Sequence, residues 1–225
     1  MSGLNLKGTL FMETTITAYN YSDITQKVNT LVSSYLSVND SRMRRVIRDS
    51  TIAEIQAILP ADNPITEAFI ERLKPDRLTR KAAAALLPTL EPLVEPFPDL
   101  TSKQLSKLFR KVKKLKQPEW ASVNRHQLTY LGWNDGGNQK KYLVAPYQGK
   151  LIGIQGDMGP KTVKNVCAIC HTIGNVSLFV TTTKAGLETY TRNGNYICRD
   201  SDQCNRQLTD PQGLAEFIET VRSKR

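Results

Sequence analysis

Histidine is almost missing from this sequence, with only His126 and His171 among 225 residues. Acid–base chemistry built on an imidazole therefore has few candidates. No nucleophile–base pair, phosphate-cradling glycine loop or paired catalytic carboxylate stands out either, so the chain reads as a binding protein and not an enzyme. Long apolar runs are also lacking. None approaches the roughly 18 residues that cross a bilayer, which excludes a helical membrane anchor. The opening stretch "MSGLNLKGTLFMETT" has neither a sustained apolar core nor a small-residue cleavage site. No secretory leader is expected, and the location implied is cytoplasmic. Met12 offers a second start, so residues 1–11 are set aside as an extension. Acids are in short supply as well: 21 Asp and Glu face 31 Lys and Arg, for a net charge of +10. The excess is five charges in residues 1–120 and five in 121–225, so no single tail carries it. Such a field predicts an anionic partner, nucleic acid or acidic protein, without choosing between them. Cysteine is scarce too, at four residues, and all four fall between Val166 and Leu208.

What is present divides into two patterns. Hydrophobic residues make up 40% of the chain, enough for one large or two ordinary cores. Up to about residue 117 the period is helical. Ile24, Val28, Leu31, Val32, Tyr35 and Leu36 recur at three- and four-residue steps. Asn39 and Asp40 are cap candidates for "SRMRRVIRDSTIAEIQAIL", and Asn63 with Pro64 opens "ITEAFIERL". Asp76 is the cap expected for "RLTRKAAAALL", which Pro88 and Pro92 kink or divide. Thr101 and Gln104 fit a capping box opening a helix whose face is Leu105, Leu108, Phe109, Val112 and Leu115, stopped by Pro118. Antiparallel helices with short connections imply a bundle.

Beyond Trp120 the segments "QLTYLGW", "KKYLVAPY", "KLIGIQG", "NVSLFVTTT" and "NYIC" read as strands, separated by turn signals such as "YQGK" and "RNGN". The last element, "DPQGLAEFIETVRSKR", has Asp210 and Pro211 at its start and Leu214, Phe217, Ile218 and Val221 on one face. The expected fold is therefore α+β in two domains. A helical bundle spans residues 1–119, and an α/β domain spans 120–225 with a boundary near 117–122.

The cysteines form two close pairs, Cys167/Cys170 and Cys198/Cys204, separated by twenty-seven residues. Four thiolates at such spacing suit one tetrahedral zinc ion with a closed, structural coordination sphere. A knuckle, a hairpin and ligands near a helix start make a treble-clef-like module over about 163–222. The five-residue gap between Cys198 and Cys204 is looser than usual. Three rival readings remain. Thioredoxin-like redox chemistry by "CAIC" needs a following helix, whereas β-like sequence follows here. A zinc deaminase needs an H-x-E, which is absent, and a proline ahead of its C-x-x-C, where Val166 stands. Buried cysteines without a ligand are the third. His171 is read as a surface residue beside the ligands.

"KQLSKLFRKVKKLK" carries seven basic residues in fourteen and no acid. Lys107, Lys111, Lys113 and Lys114 can meet an acidic partner or RNA phosphates, or form the solvated face of a core helix. Trp133 is read as a hairpin core residue more than as a stacking platform. Tyr190, Tyr196 and Phe217 lie in the metal module, where a small interior favours exposing some as anchors.

"GWND…KKYL", "CAICHTIGNVSLFV" and "GNYICRDSDQCNRQLTD" resemble the FusB-type family of elongation factor G-binding proteins, and "KLFRKVKKLKQP" resembles that family's basic segment before its domain junction. The match covers about residues 100–220. It is specific because it includes the residues between the cysteines. The resemblance implies a helical bundle joined to a treble-clef zinc domain. It also implies a monomer that binds elongation factor G mainly through the C-terminal domain and promotes its release from the ribosome when fusidic acid has locked it there. The family's contact positions fall on Asn193, Tyr196 and Phe217, and where relatives can carry a lysine this chain has Asn193, with Arg192 beside it. The rival functional reading is a zinc-module protein binding ribosomal RNA directly.

Overall fold

The computed structural model describes residues 15–75, 78–184 and 190–222. Residues 1–11, set aside above, lie outside these, as does the expected cap Asp76. Among the described residues no helix is long and apolar enough to cross a membrane. The chain divides into two compact units between Glu95 and Pro96.

The first unit is helical, and its boundaries follow from its caps. The Thr17 hydroxyl accepts from the Asn20 amide to start α1 (Ala18–Ser37). Asp40 accepts from Arg42 and Met43 to start α2 (Ser41–Gln56). Asn63 with Pro64 opens α3 (Pro64–Leu73), and Thr79 caps α4 (Arg80–Leu86). Pro88 and Pro92 lack the N–H that an α-helix needs, and the chain tightens into a 3-10 segment, Leu87–Leu93. Ile24, Val28, Ile55, Phe69, Leu73, Leu86 and Leu90 meet in one core. A parallel bridge closes the unit: the Ile16 amide donates to the Leu93 carbonyl and the Glu95 amide to that of Ile16.

The second unit is an antiparallel sheet in chain order: β1 (Leu131–Asp135), β2 (Lys140–Tyr147), β3 (Lys150–Val166), β4 (Ile173–Lys184) and β5 (Tyr190–Cys198). Gln148 and Gly149 both have positive φ, 49° and 72°, so a two-residue type I′ turn joins β2 to β3 and pairs Tyr147 with Lys150. β3 is longer than its sequence suggests. Expected to stop at Gly156, it continues through Pro160 because Gly159, Pro160 and Lys161 bulge out of register between Met158 and Thr162. The bulge absorbs the missing proline donor and lets the strand bend onward to the cysteines.

Both faces of β2 are covered, as the two-residue period requires. Tyr142 and Val144 join an aromatic cluster on one face. Leu143 and Ala145 face the cysteine side. In the aromatic cluster Trp133 stacks on Tyr142 at 5.3 Å and 24°, and Phe109 meets both rings edge-on. The Trp133 indole N–H donates to the Lys116 carbonyl, so this tryptophan is a core residue and not a platform.

That cluster also corrects two expectations. The capping box of Thr101 and Gln104 is present, but α5 (Ser102–Leu108) ends ten residues before Pro118. Phe109 leaves helical geometry, with φ −115° and ψ 47°, and sets its ring edge-on against the stacked Trp133 and Tyr142. Val112 and Leu115 follow it into the same cluster from a non-helical segment. Phe97, Leu100 and Leu105 pack there too, so the units part at residues 95/96 and not near 117–122.

Candidate metal centre

The first cysteine pair sits on a tight knuckle between β3 and β4. The Cys167 amide donates to the Thr172 carbonyl and the His171 amide to the Cys167 carbonyl, with His171 in the left-handed region at φ 55°. The Ile169 amide donates to Cys167 Sγ at 3.4 Å. From β5, the Tyr196 carbonyl accepts from the Ala168 amide, and the Cys198 amide donates to Cys167 Sγ at 3.4 Å. These N–H groups hold the sulfur in place and favour its thiolate.

The loose spacing of the second pair has a simple cause. Cys198 ends β5, and a short helix, α6 (Ser201–Gln207), brings Cys204 back within its first turn. The Asp200 carboxylate caps it, accepting from the Asp202 and Gln203 amides at 2.8 and 3.0 Å. Sequence reasoning missed this helix, although Asp200 followed by Gln203 three residues on is a start signature. Buried Asn205 anchors it: its side chain accepts from the Thr129 and Tyr130 amides and donates to the Tyr130 carbonyl.

The four sulfurs lie within 4.8 Å of one another, and all four cysteines are buried. Cys167 and Cys204 are 3.8 Å apart, as are Cys170 and Cys198. A disulfide needs about 2.05 Å. By contrast, four sulfurs about 2.3 Å from a common zinc lie about 3.8 Å from one another. S–H donors from Cys170, Cys198 and Cys204 push the Cys167 thiol far below its ordinary range, while donating to Cys167 holds the Cys198 and Cys204 thiols up. Without a cation the cluster resists becoming four thiolates; a divalent ion removes that conflict. The donor set, the spacing and the dry surroundings fit zinc. Exposed His171 stays outside the ligand set, as expected.

One further side chain is buried near the cluster, bonded to the carbonyl of Arg199 beside Cys198. Lys141 is fully buried, and burial pulls its ammonium down to about 8 against the opposing pull of Cys204, Asp200, Cys198 and Cys167.

The last helix, α7 (Gln212–Val221), presses on the knuckle through Gly213. A methyl group there would lie 2.5 Å from the Ile169 carbonyl oxygen and 2.7 Å from His171 Nε2. Gly213→Ala is therefore expected to cost about 1–3 kcal/mol, as overpacking against a rigid carbonyl does. Thermal denaturation of the zinc-loaded protein checks this; an unchanged midpoint would show that the helix yields without cost.

The structure separates the four residues that the resemblance placed at a partner. Arg192 and Tyr196 share one face of β5, with Leu178 of β4 paired to Tyr196. Arg192 is exposed, Tyr196 half-buried, and Leu178 is 40% exposed. A shallow groove beside them is lined by Met158, Pro160, Leu178, Val180 and Arg192. Asn193 belongs to the other face, beside Thr181. Phe217 is not an exposed anchor: only 2% exposed, it packs 5.6 Å from Phe179 inside the cysteine-side core. The side chain of Tyr190 lies outside the described residues. Lys107, Lys111, Lys113 and Lys114 are all exposed, but α5 and the turn after it distribute them, so they do not line one helix face. Leu178 went unnoticed in the sequence because an alternating strand does not say which of its faces is covered.

Comparison with known proteins gives consistent matches along the chain. Residues 15–98 match the family model described as elongation factor G-binding protein, N-terminal. Residues 104–221 match that of the FBP C-terminal treble-clef zinc-finger. Comparison with curated protein sequences gives no match. Among solved structures, that of the fusidic acid resistance protein FusC is similar with a TM-score of 0.86 and 36% identity, covering 94% of this chain and 100% of that one.

Proposed function

Because this chain belongs to the family of elongation factor G-binding proteins with a C-terminal treble-clef zinc finger, we propose that it binds elongation factor G and frees it from ribosomes stalled by fusidic acid. The observation that supports this most is the buried four-sulfur cluster placed within the finger's matched span, because it ties the knuckle, β5 and α6 into one platform. Zinc serves that platform structurally, held by Cys167, Cys170, Cys198 and Cys204. Binding is the whole mechanism, with no chemical step. A binder shifts an equilibrium only through unequal affinity for its states, so this chain must hold the departing form of the factor more tightly than the stalled one. It acts as a cytoplasmic monomer and meets the ribosome through the factor.

Arg192, Tyr196 and Leu178 supply the contact, with Asn193 at its margin. Tyr196→Ala is expected to weaken binding at least tenfold, as loss of a central aromatic does. Arg192→Glu should slow association more than it speeds dissociation, and more so at low salt. Calorimetry and stopped-flow mixing with purified elongation factor G check both. Addition of the chain should restore translation stalled by fusidic acid. No complex at low-micromolar concentration would end the proposal. The exposed basic residues between Lys103 and Lys116 favour a second contact, with RNA. Replacing Lys107, Lys111, Lys113 and Lys114 should then reduce ribosome affinity and its salt dependence while sparing affinity for the free factor.

A further inference from the structure

We propose that Lys141 is the counter-cation of the metal centre, its buried ammonium offsetting the net double negative charge of four thiolates around one zinc and thereby setting how tightly the ion is held. The inference rests on the reading that the four sulfurs bind zinc, which metal analysis of the unaltered protein decides first and separately.

Strand alternation sends adjacent lysines to opposite environments. Lys140 pairs with Asp157 at the surface, whereas Lys141 is fully buried on the face of β2 that meets the cysteines. Among the described residues no carboxylate forms an ion pair with Lys141. Its Nζ donates to the Arg199 carbonyl at 2.9 Å and, more weakly, to Asn134 Oδ1 at 3.4 Å. Arg199 directly follows the ligand Cys198. A buried ammonium with only neutral partners is expensive, and a buried dianion is equally so. The groups whose ionised forms act on Lys141 are Cys204, then Asp200, Cys198 and Cys167, and the three cysteines are thiolates once zinc is bound. Each therefore offsets the burial of the other. A hydrogen bond to the Arg199 carbonyl does not by itself require a cation, because the Asn134 amide already donates to the same oxygen at 3.1 Å.

That neighbour supplies the control. Zinc release from the loaded full chain to a chromophoric chelator is measured for Lys141→Gln, Lys141→Arg and Asn134→Ala. Lys141→Gln keeps a donor but loses the charge, and it is expected to release zinc about 10–100-fold faster, the range for loss of a group that supports metal ligands. Asn134→Ala removes a donor but keeps the charge and should stay within about twofold of the unaltered chain, as should Lys141→Arg. A purely electrostatic readout accompanies this. With iron in place of zinc, Lys141→Gln should lower the Fe(III)/Fe(II) potential, because the more negative ferrous site loses its cation, while Asn134→Ala leaves it unchanged. Failure of Lys141→Gln to take up metal while Lys141→Arg does so supports the proposal in stronger form. Failure of both, equal release from Lys141→Gln and Asn134→Ala, or an unchanged release rate in Lys141→Gln would overturn it.

Discussion

Removing the metal is expected to open the end of the second unit while leaving the helical unit folded. Knuckle, β5 and α6 meet at four sulfurs, and no disulfide replaces the ion among the described residues. Structural zinc contributes about 10–16 kcal/mol in finger peptides, as much as the whole stability of an ordinary domain. Local packing between β4, β5 and α7 cannot make up such a loss. Cys167→Ser and Cys204→Ser should be the most damaging of the conservative substitutions. Neither cysteine has any exposure, so the new hydroxyl would be buried among sulfurs, whereas Cys170 retains 9%. Hydrogen exchange read by mass spectrometry checks this. In chelated protein, amides of β4, β5, α6 and α7 should lose protection and those of α1 to α3 should keep it. The Trp133–Tyr142–Phe109 cluster, on the opposite face of β2, should respond least within its unit. Affinity for elongation factor G should disappear along with the protection. Full protection after verified loss of zinc would show that packing alone holds the module.

How much of this was legible beforehand depends on the range of the interaction responsible. Local chemistry could be read directly. Thr101 with Gln104, Asn63 with Pro64, and Gln148 with Gly149 each act within four residues, and each is found where expected. The cysteine pairs were legible because ligation leaves a spacing that survives any detail of the fold. Tertiary competition was not. The helical period running through Val112 and Leu115 is real, yet Phe109 gains more by packing on Trp133 and Tyr142, 24 and 33 residues further on, than by continuing α5. Pro160 looked like a strand end because a bulge that tolerates it depends on the partner strand. Lys141 reads as a polar residue at a strand start, and its burial depends on a carbonyl partner, that of Arg199, 58 residues further on. The family resemblance named positions on β5 and α7, but it could not say which of them face outward.

Phe217 shows what that last distinction does to an experiment. Phe217→Ala is expected to destabilise the second unit by about 3–5 kcal/mol, the usual cost of emptying a well-packed aromatic site. The ring lies against Phe179, which is itself fully buried, on a helix whose Leu214, Ile218 and Val221 enter the same core. That helix is further held by the Thr181 hydroxyl donating to the Val221 carbonyl at 2.8 Å, so it cannot easily slide to fill the void. A loss of this size in a unit of this length corresponds to a fall of about 10–20 °C in Tm. Phe217→Leu conserves most of the volume and should cost less than about 1.5 kcal/mol. Phe217→Ala would weaken a pull-down with elongation factor G at ambient temperature if it is partly unfolded, and that loss would imitate the loss of a contact. The two causes separate when binding is measured well below either Tm with the folded fraction confirmed. Folded Phe217→Ala should then bind within a few-fold of the unaltered chain, whereas Tyr196→Ala should keep most of its stability and still lose affinity. The reverse pattern, an unchanged Tm and lost binding in Phe217→Ala, would mean that the helix turns its aromatic ring outward when the factor arrives.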